Sequence, residues 1–202
     1  ILPTREMVDH FVQPHDDRTD IPVDLGGVMC NNAKSTFNGE LGWLLCDGMR
    51  GGSVHGSRGF YAYEEDGARR VVNFPDRPCR INTYGNSFTH CDQVSDGETW
   101  QEYLAAHLQE PVKNFGIGGF SVYQAFRRMK VVEPRTSAEY VILNIWDDDH
   151  FRNLDAWRSI RMGRQGRFTL PFIRVDLAEE SCVEHENICK TPEEVYLLCD
   201  AK

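Results

Sequence analysis

The stretch "RINTYGNSFTHCD", Arg80 to Asp92, decides how the rest of the chain is read. A short β-leaning run, Arg80 to Tyr84, delivers a Gly-Asn-Ser turn, and Phe88-Thr89-His90 follow it. Ser87 then has two readings. A Ser after Gly-Asn near a helix start is a natural N-cap. At the end of a strand it is also an exposed hydroxyl, and a neighbouring base would make it a nucleophile.

Downstream, the rhythm of strand, loop and helix repeats. Ser95-Asp96-Gly97-Glu98 is a capping box, and Trp100, Tyr103, Leu104, His107 and Leu108 follow at helical spacing. That spacing predicts Trp100 and Tyr103 in the core and His107 as a satisfied core histidine. Val112 to Phe115 reads as a second strand ending in Gly-Ile-Gly-Gly. Ser121 and Gln124 form another capping box. Val122, Ala125, Phe126 and Met129 share one face of the helix that follows, and Pro134 closes it. "YVILNI", Tyr140 to Ile145, is a near-continuous apolar run, as expected of a strand buried on both faces of a parallel sheet. The alternation predicts an α/β fold, a three-layer α/β/α sandwich with a mostly parallel sheet of flavodoxin-like kind. In such sheets a ligand site lies at the carboxyl ends of the strands.

Three strand ends carry unusual chemistry: Gly85 to Thr89, Asn114 to Gly119, and Trp146-Asp147-Asp148-Asp149-His150. In this order they resemble the blocks of the SGNH (GDSL-type) hydrolases, over residues 80 to 155. The first block of that family is Gly-Asp-Ser-x-Thr, and here Asn86 stands in the Asp position. The resemblance implies that Ser87 is the nucleophile and that Gly119 donates a backbone N–H to the oxyanion. The third block of the family is Gly-x-Asn-Asp, which places Asp148 at the Asn position and Trp146 at the glycine. An ionised Asp accepts hydrogen bonds and cannot donate one, so Asn144 or another donor would have to replace it unless Asp148 is protonated. The Asp-x-x-His block near the family's C-terminus has no match. His185 has Cys182 three residues before it, and the literal Asp-x-x-His here is Asp147 to His150. If the domain is cut short, the base lies beyond Lys202; if it is whole, His150 is the best local candidate. His90 reads as a helix-surface residue or one that supports Ser87 from behind.

The resemblance implies a serine esterase acting on a small-molecule or carbohydrate ester, with no metal or organic cofactor. A catalytically silent SGNH-like module that binds a glycan or a protein is the alternative. A third reading is a metal-dependent hydrolase using the acidic loop, since carboxylates with a His suit a divalent ion; consecutive residues rarely point at one ion. Gly-Ile-Gly-Gly completes neither a dinucleotide fingerprint nor a P-loop.

Residues 1–79 read as a β- and loop-rich N-terminal extension, and residues 80–202 as the SGNH-like domain. Within the extension, "FYAYEEDGARRVVNF" predicts a hairpin, with Tyr61 and Tyr63 before the Asp66-Gly67 turn and Val71-Val72 after it. Thr191-Pro192-Glu193-Glu194 is a well-made helix start only two turns from Lys202, so the domain reads as cut short. The 202 residues suit one core. A net charge of −9 argues against nucleic acid as a partner. The small basic clusters Arg69-Arg70, Arg127-Arg128 and Arg158 to Arg167 read as solvated surface. No run is long and apolar enough to span a membrane, and no signal peptide is visible. The seven cysteines lack a CxxC pair and read mostly as reduced thiols, with a disulfide among the last three as the exception to test.

Overall fold

The structure is a computed structural model and describes residues 4–12, 23–24, 29–30, 35–50, 59–147, 149–154 and 169–200. The described residues of the first half contribute α1 (Arg5–Val12) and three small antiparallel pairs. These are β1 (Val23–Asp24) with β2 (Met29–Cys30), β3 (Ser35–Asn38) with β4 (Gly42–Leu45), and β5 (Gly48–Arg50) with β6 (Gly59–Tyr61). The β3–β4 turn is held by the Asn38 side chain, whose Oδ1 accepts from Glu40 N at 3.0 Å and Leu41 N at 2.8 Å.

The next strands form a parallel sheet. β7 (Ile81–Tyr84) lies between β8 (Val112–Asn114) and β9 (Tyr140–Leu143), in the order β8-β7-β9. All four residues of β7 are buried, as a central strand requires. β9 departs from expectation. Tyr140, Val141 and Ile142 are exposed, and because consecutive strand residues point to opposite faces, the described residues leave both faces of β9 largely uncovered.

The expected hairpin is present but shorter. Tyr63 bridges Arg69 across a turn closed by Gly67 N donating to Glu64 O at 2.8 Å, and Val71-Val72 lie beyond the pairing. Arg69 N also donates to Asn114 O at 2.7 Å, which docks the hairpin on the free edge of β8. That position buries Arg69, which is only 1% exposed. Arg128 is buried as well, so neither belongs to the solvated surface that the basic clusters suggested.

Among the described residues, four α-helices lie between β7 and the C-terminal hairpin: α2 (Ser87–His90), α3 (Trp100–Leu108), α4 (Val122–Val132) and α5 (Asp149–Leu154). The Ser95–Glu98 capping box forms as predicted, yet it heads a 3-10 turn, and α3 starts after it with Thr99 as its own cap. The inward face of α3 is also different. Gln101, Glu102 and Ala105 are buried, whereas Tyr103 is 72% exposed and His107 is exposed rather than in the core. The cause is the need of neighbouring backbone for partners. Glu102 accepts from Val72 N and Asn73 N at 2.9 and 2.7 Å, and Gln101 donates to Thr89 O at 2.8 Å. α4 has the Ser121–Gln124 capping box and ends at Val132, two residues before Pro134.

β10 (Phe172–Asp176) and β11 (Ser181–His185) form an antiparallel pair, and α6 (Pro192–Asp200) closes the described chain. The Thr191–Glu194 cap is formed, with Glu194 N donating to Thr191 Oγ1 at 3.4 Å. One apolar cluster joins Val8 of α1, Leu41, Trp43, Ile117, Phe120, Cys189 and Val195, so residues from both sides of Arg80 share it. Trp43 and Phe120 meet edge to face at 5.1 Å, worth about 0.5–1.5 kcal/mol beyond the area they bury. A second cluster stacks Tyr84 on Phe115 at 5.2 Å beneath the sheet ends. Cys79, Cys91, Cys182 and Cys189 are free thiols. No helix among the described residues is long and apolar enough to cross a membrane.

Candidate active site at the carboxyl ends of the parallel strands

Ser87 stands at the end of the central strand, at the first position of α2, and is half-buried. The cap of that helix is Asn86, not Ser87: Asn86 Oδ1 accepts from Phe88 N at 2.8 Å. The capping role is thereby filled, and among the described residues no imidazole is hydrogen-bonded to the Ser87 hydroxyl.

Backbone hydrogen bonds bring the three strand ends together. Phe115 N donates to Thr83 O at 2.8 Å, Ile117 N to Gly85 O at 3.0 Å, and Asn144 N to Tyr84 O at 2.8 Å. The Gly116 turn lies directly on α2. A Cβ at Gly116 would sit 2.7 Å from Thr89 C and 2.8 Å from Thr89 Cβ, with His90 N closer still. Gly119 has φ of 84°, a left-handed conformation that glycine adopts without strain. A Cβ at Gly118 would lie 2.7 Å from Asp92 Oδ2, which places that carboxylate against the same turn.

The third loop meets the first through buried side chains. Asn86 Nδ2 donates to Asp149 Oδ2 at 2.6 Å, and both residues are 1% exposed. Asp149 Oδ1 is ion-paired with Arg152 Nη1 at 2.7 Å, and the same Nη1 donates to Phe120 O at 3.0 Å. His150 follows Asp149 and is exposed. Trp146 packs edge to face on Phe88 at 4.9 Å; both rings are solvent-exposed. Asp148 lies outside the described residues. The Asn144 backbone is tied to Tyr84. Among the described residues no three His, Cys, Asp or Glu side chains are grouped to hold a metal ion.

His90 is not on the helix surface. It is fully buried, with Nε2 2.7 Å from the Tyr63 hydroxyl and Nδ1 2.5 Å from Asp92 Oδ1. Burial holds the Tyr63 phenol far above the ordinary tyrosine range, so it stays neutral. Arg69 underlies this group. Its guanidinium donates to the carbonyls of His90, Cys91 and Val94 and pairs with Asp96 at 2.7 Å. Burial raises the Asp96 carboxyl above its ordinary value, against the lowering effect of Arg69. Burial also lowers the Arg128 guanidinium to about 10, so it remains a cation at neutral pH, donating to Gly67 O at 2.6 Å. His185 is stacked on Phe172 at 4.7 Å in the C-terminal hairpin.

The inward place of Arg69 had a signal in the sequence: Tyr61, Tyr63 and Arg69 fall on one face of the hairpin by alternation. The Asn86–Asp149 bond, 63 positions apart, had none. Compared with models of known protein families, with curated proteins and with solved structures, the chain matches none.

Proposed function

We propose that this chain is a serine hydrolase of the SGNH type, built on a three-layer α/β/α sandwich, that cleaves carboxylic esters of small acyl groups on a small-molecule or carbohydrate alcohol. The observation that carries the reading is at Ser87. It ends the central parallel strand, Asn86 relieves it of the capping role, and the turn holding Gly119 is tied to the same strand end.

In this mechanism Ser87 Oγ attacks the ester carbonyl carbon as the base takes its proton. The N–H groups of Ser87 and Gly119 stabilise the oxyanion, an interaction for which one donor is worth about 3 kcal/mol. The tetrahedral intermediate expels the alcohol, which receives the proton, and water then releases the acid from the acyl-serine. His150 is the base in this reading, because its neighbour Asp149 is bonded to the neighbour of Ser87. His90 is unsuited, since both its ring nitrogens are engaged.

A second reading is a catalytically silent module that binds a glycan or a protein. It is favoured by the absence, among the described residues, of an imidazole bonded to the Ser87 hydroxyl. The metal-dependent reading has less support, because the Asp149 carboxylate is committed to Asn86 and Arg152. Hydrolysis of p-nitrophenyl acetate by the protein and by Ser87→Ala, with and without excess chelator, separates the three. Loss with Ser87→Ala and indifference to chelator supports the esterase. No activity in the unaltered protein supports the silent module, and chelator-sensitive activity that survives Ser87→Ala supports the metal enzyme.

A further inference from the structure

We infer that Asp149 is a positioning residue that locks the Ser87 turn and the Gly119 turn into one register, an inference that rests on the proposed hydrolase reading. Two hydrogen bonds and one ion pair link the three loops, the Asp149 Oδ1–Arg152 contact being a charge pairing outside hydrogen-bond geometry. Asn86 caps the helix that begins at Ser87 and donates to Asp149 Oδ2 at 2.6 Å. Asp149 Oδ1 holds Arg152 at 2.7 Å, and Arg152 holds the carbonyl of Phe120, the residue after Gly119, at 3.0 Å. Asn86 and Asp149 are fully buried and the Arg152 side chain is 16% exposed, so water competes weakly for these partners.

The chemistry of the chain is directional. Asn86 uses its oxygen on Phe88 N, which leaves only its amide N–H to face position 149. Position 149 must then accept from Asn86 on one side and face a cation on the other, which a carboxylate does and an amide cannot do fully. A nucleophile and its oxyanion donors must be held to a fraction of an ångström, and a misplacement of about 1 Å costs on the order of 100-fold in rate. The Asp149 bridge spans those two parts.

The test exchanges the two groups. Asp149→Asn still accepts from Asn86 but turns its amide N–H toward the Arg152 cation, and Asn86→Asp sets two carboxylates in contact. In the double variant a carboxylate at position 86 accepts from Phe88 N and from an amide N–H at position 149, whose oxygen faces Arg152. Two readouts are taken on variants that retain cooperative thermal melts. One is the rate of labelling by a fluorophosphonate; the other is amide hydrogen exchange of the 116–120 turn. Each single variant is expected to slow labelling about 10- to 100-fold and to speed exchange of that turn, with KM for a small ester unchanged. The double variant is expected to return both readouts to within about threefold of the unaltered protein.

Single variants that leave turn exchange unchanged would overturn the inference, whatever happens to labelling. So would a folded double variant that is as slow as the singles. If exchange follows the predicted pattern while the unaltered protein takes no label, the coupling of the turns stands and the hydrolase reading fails.

Discussion

The Tyr63 hydroxyl meets His90 Nε2 at 2.7 Å, inside a pocket where the imidazole has no exposed surface. The other ring nitrogen faces Asp92, whose backbone carbonyl accepts from the Tyr61 hydroxyl, so hairpin and helix are joined through one ring. His90→Ala is therefore expected to destabilise the fold by about 2–4 kcal/mol through the cavity and the unpaired groups it leaves. Tyr63→Phe removes one bond at unchanged volume and should cost about 1 kcal/mol, since His90 keeps its contact with Asp92. Urea denaturation midpoints measure both. A stable His90→Ala protein would refute the structural role.

Arg69 gives a sharper test. Arg69→Met leaves the half-buried Asp96 carboxylate without its cation, at a cost of about 3–5 kcal/mol near neutral pH. The carboxyl of Asp96 is already raised by burial, and loss of the guanidinium raises it further. A group with a raised folded pKa contributes stability that is present below the unfolded pKa and lost as pH rises through the folded one. The deficit of Arg69→Met should thus narrow as the pH falls from neutrality toward the ordinary Asp value of 3.8. Melting temperatures across that range decide it, and a deficit that widens would contradict the assignment.

Gly116→Ala should separate two loops. The added methyl would press on Thr89 and His90 backbone, which cannot rotate away, so a loss of about 1–3 kcal/mol is expected. Fluorophosphonate labelling should fall more than stability does, because the displaced turn carries Gly119. Wild-type labelling in this variant would show that the turn is not part of the site.

Cysteine reactivity offers an independent check of the packing. Burial raises the Cys91 thiol above its ordinary value of 9.0, whereas Cys182 is exposed. At mildly alkaline pH, iodoacetamide should modify Cys182 well before Cys91, and the onset of Cys91 modification should shift to higher pH than for an ordinary thiol. Peptide mass mapping against time follows both sites. Equal rates would contradict the burial of Cys91.

His150→Ala should lower kcat by a factor of about 100–10,000 if His150 is the base, with stability little changed because the residue is exposed. Unchanged kcat would move the base elsewhere.

Local chemistry made part of this fold legible. The Ser121–Gln124 box, the Asp66-Gly67 turn and the parallel strands at Ile81, Val112 and Tyr140 all depend on short-range patterns, and they formed as expected. Apolar periodicity misread α3, because its inner face satisfies backbone donors and acceptors with Gln101 and Glu102 instead of filling an apolar gap. It also misread β9, whose apolar residues lie on an edge strand among the described residues. In the candidate site, Ser87 and the glycine turn were singled out by their resemblance to the SGNH blocks, and backbone hydrogen bonds place them at neighbouring strand ends. The Asn86–Asp149–Arg152 connection was not, since it depends on three loops meeting in space.

The measurement that bears most directly on the central claim is the site of covalent labelling by a fluorophosphonate. The protein and Ser87→Ala are each treated, digested and mapped by mass spectrometry, with circular dichroism showing that the variant is folded. The hydrolase reading predicts one phosphonylated peptide, modified at Ser87, that disappears in Ser87→Ala. Labelling that persists at the same level in the folded variant would contradict it.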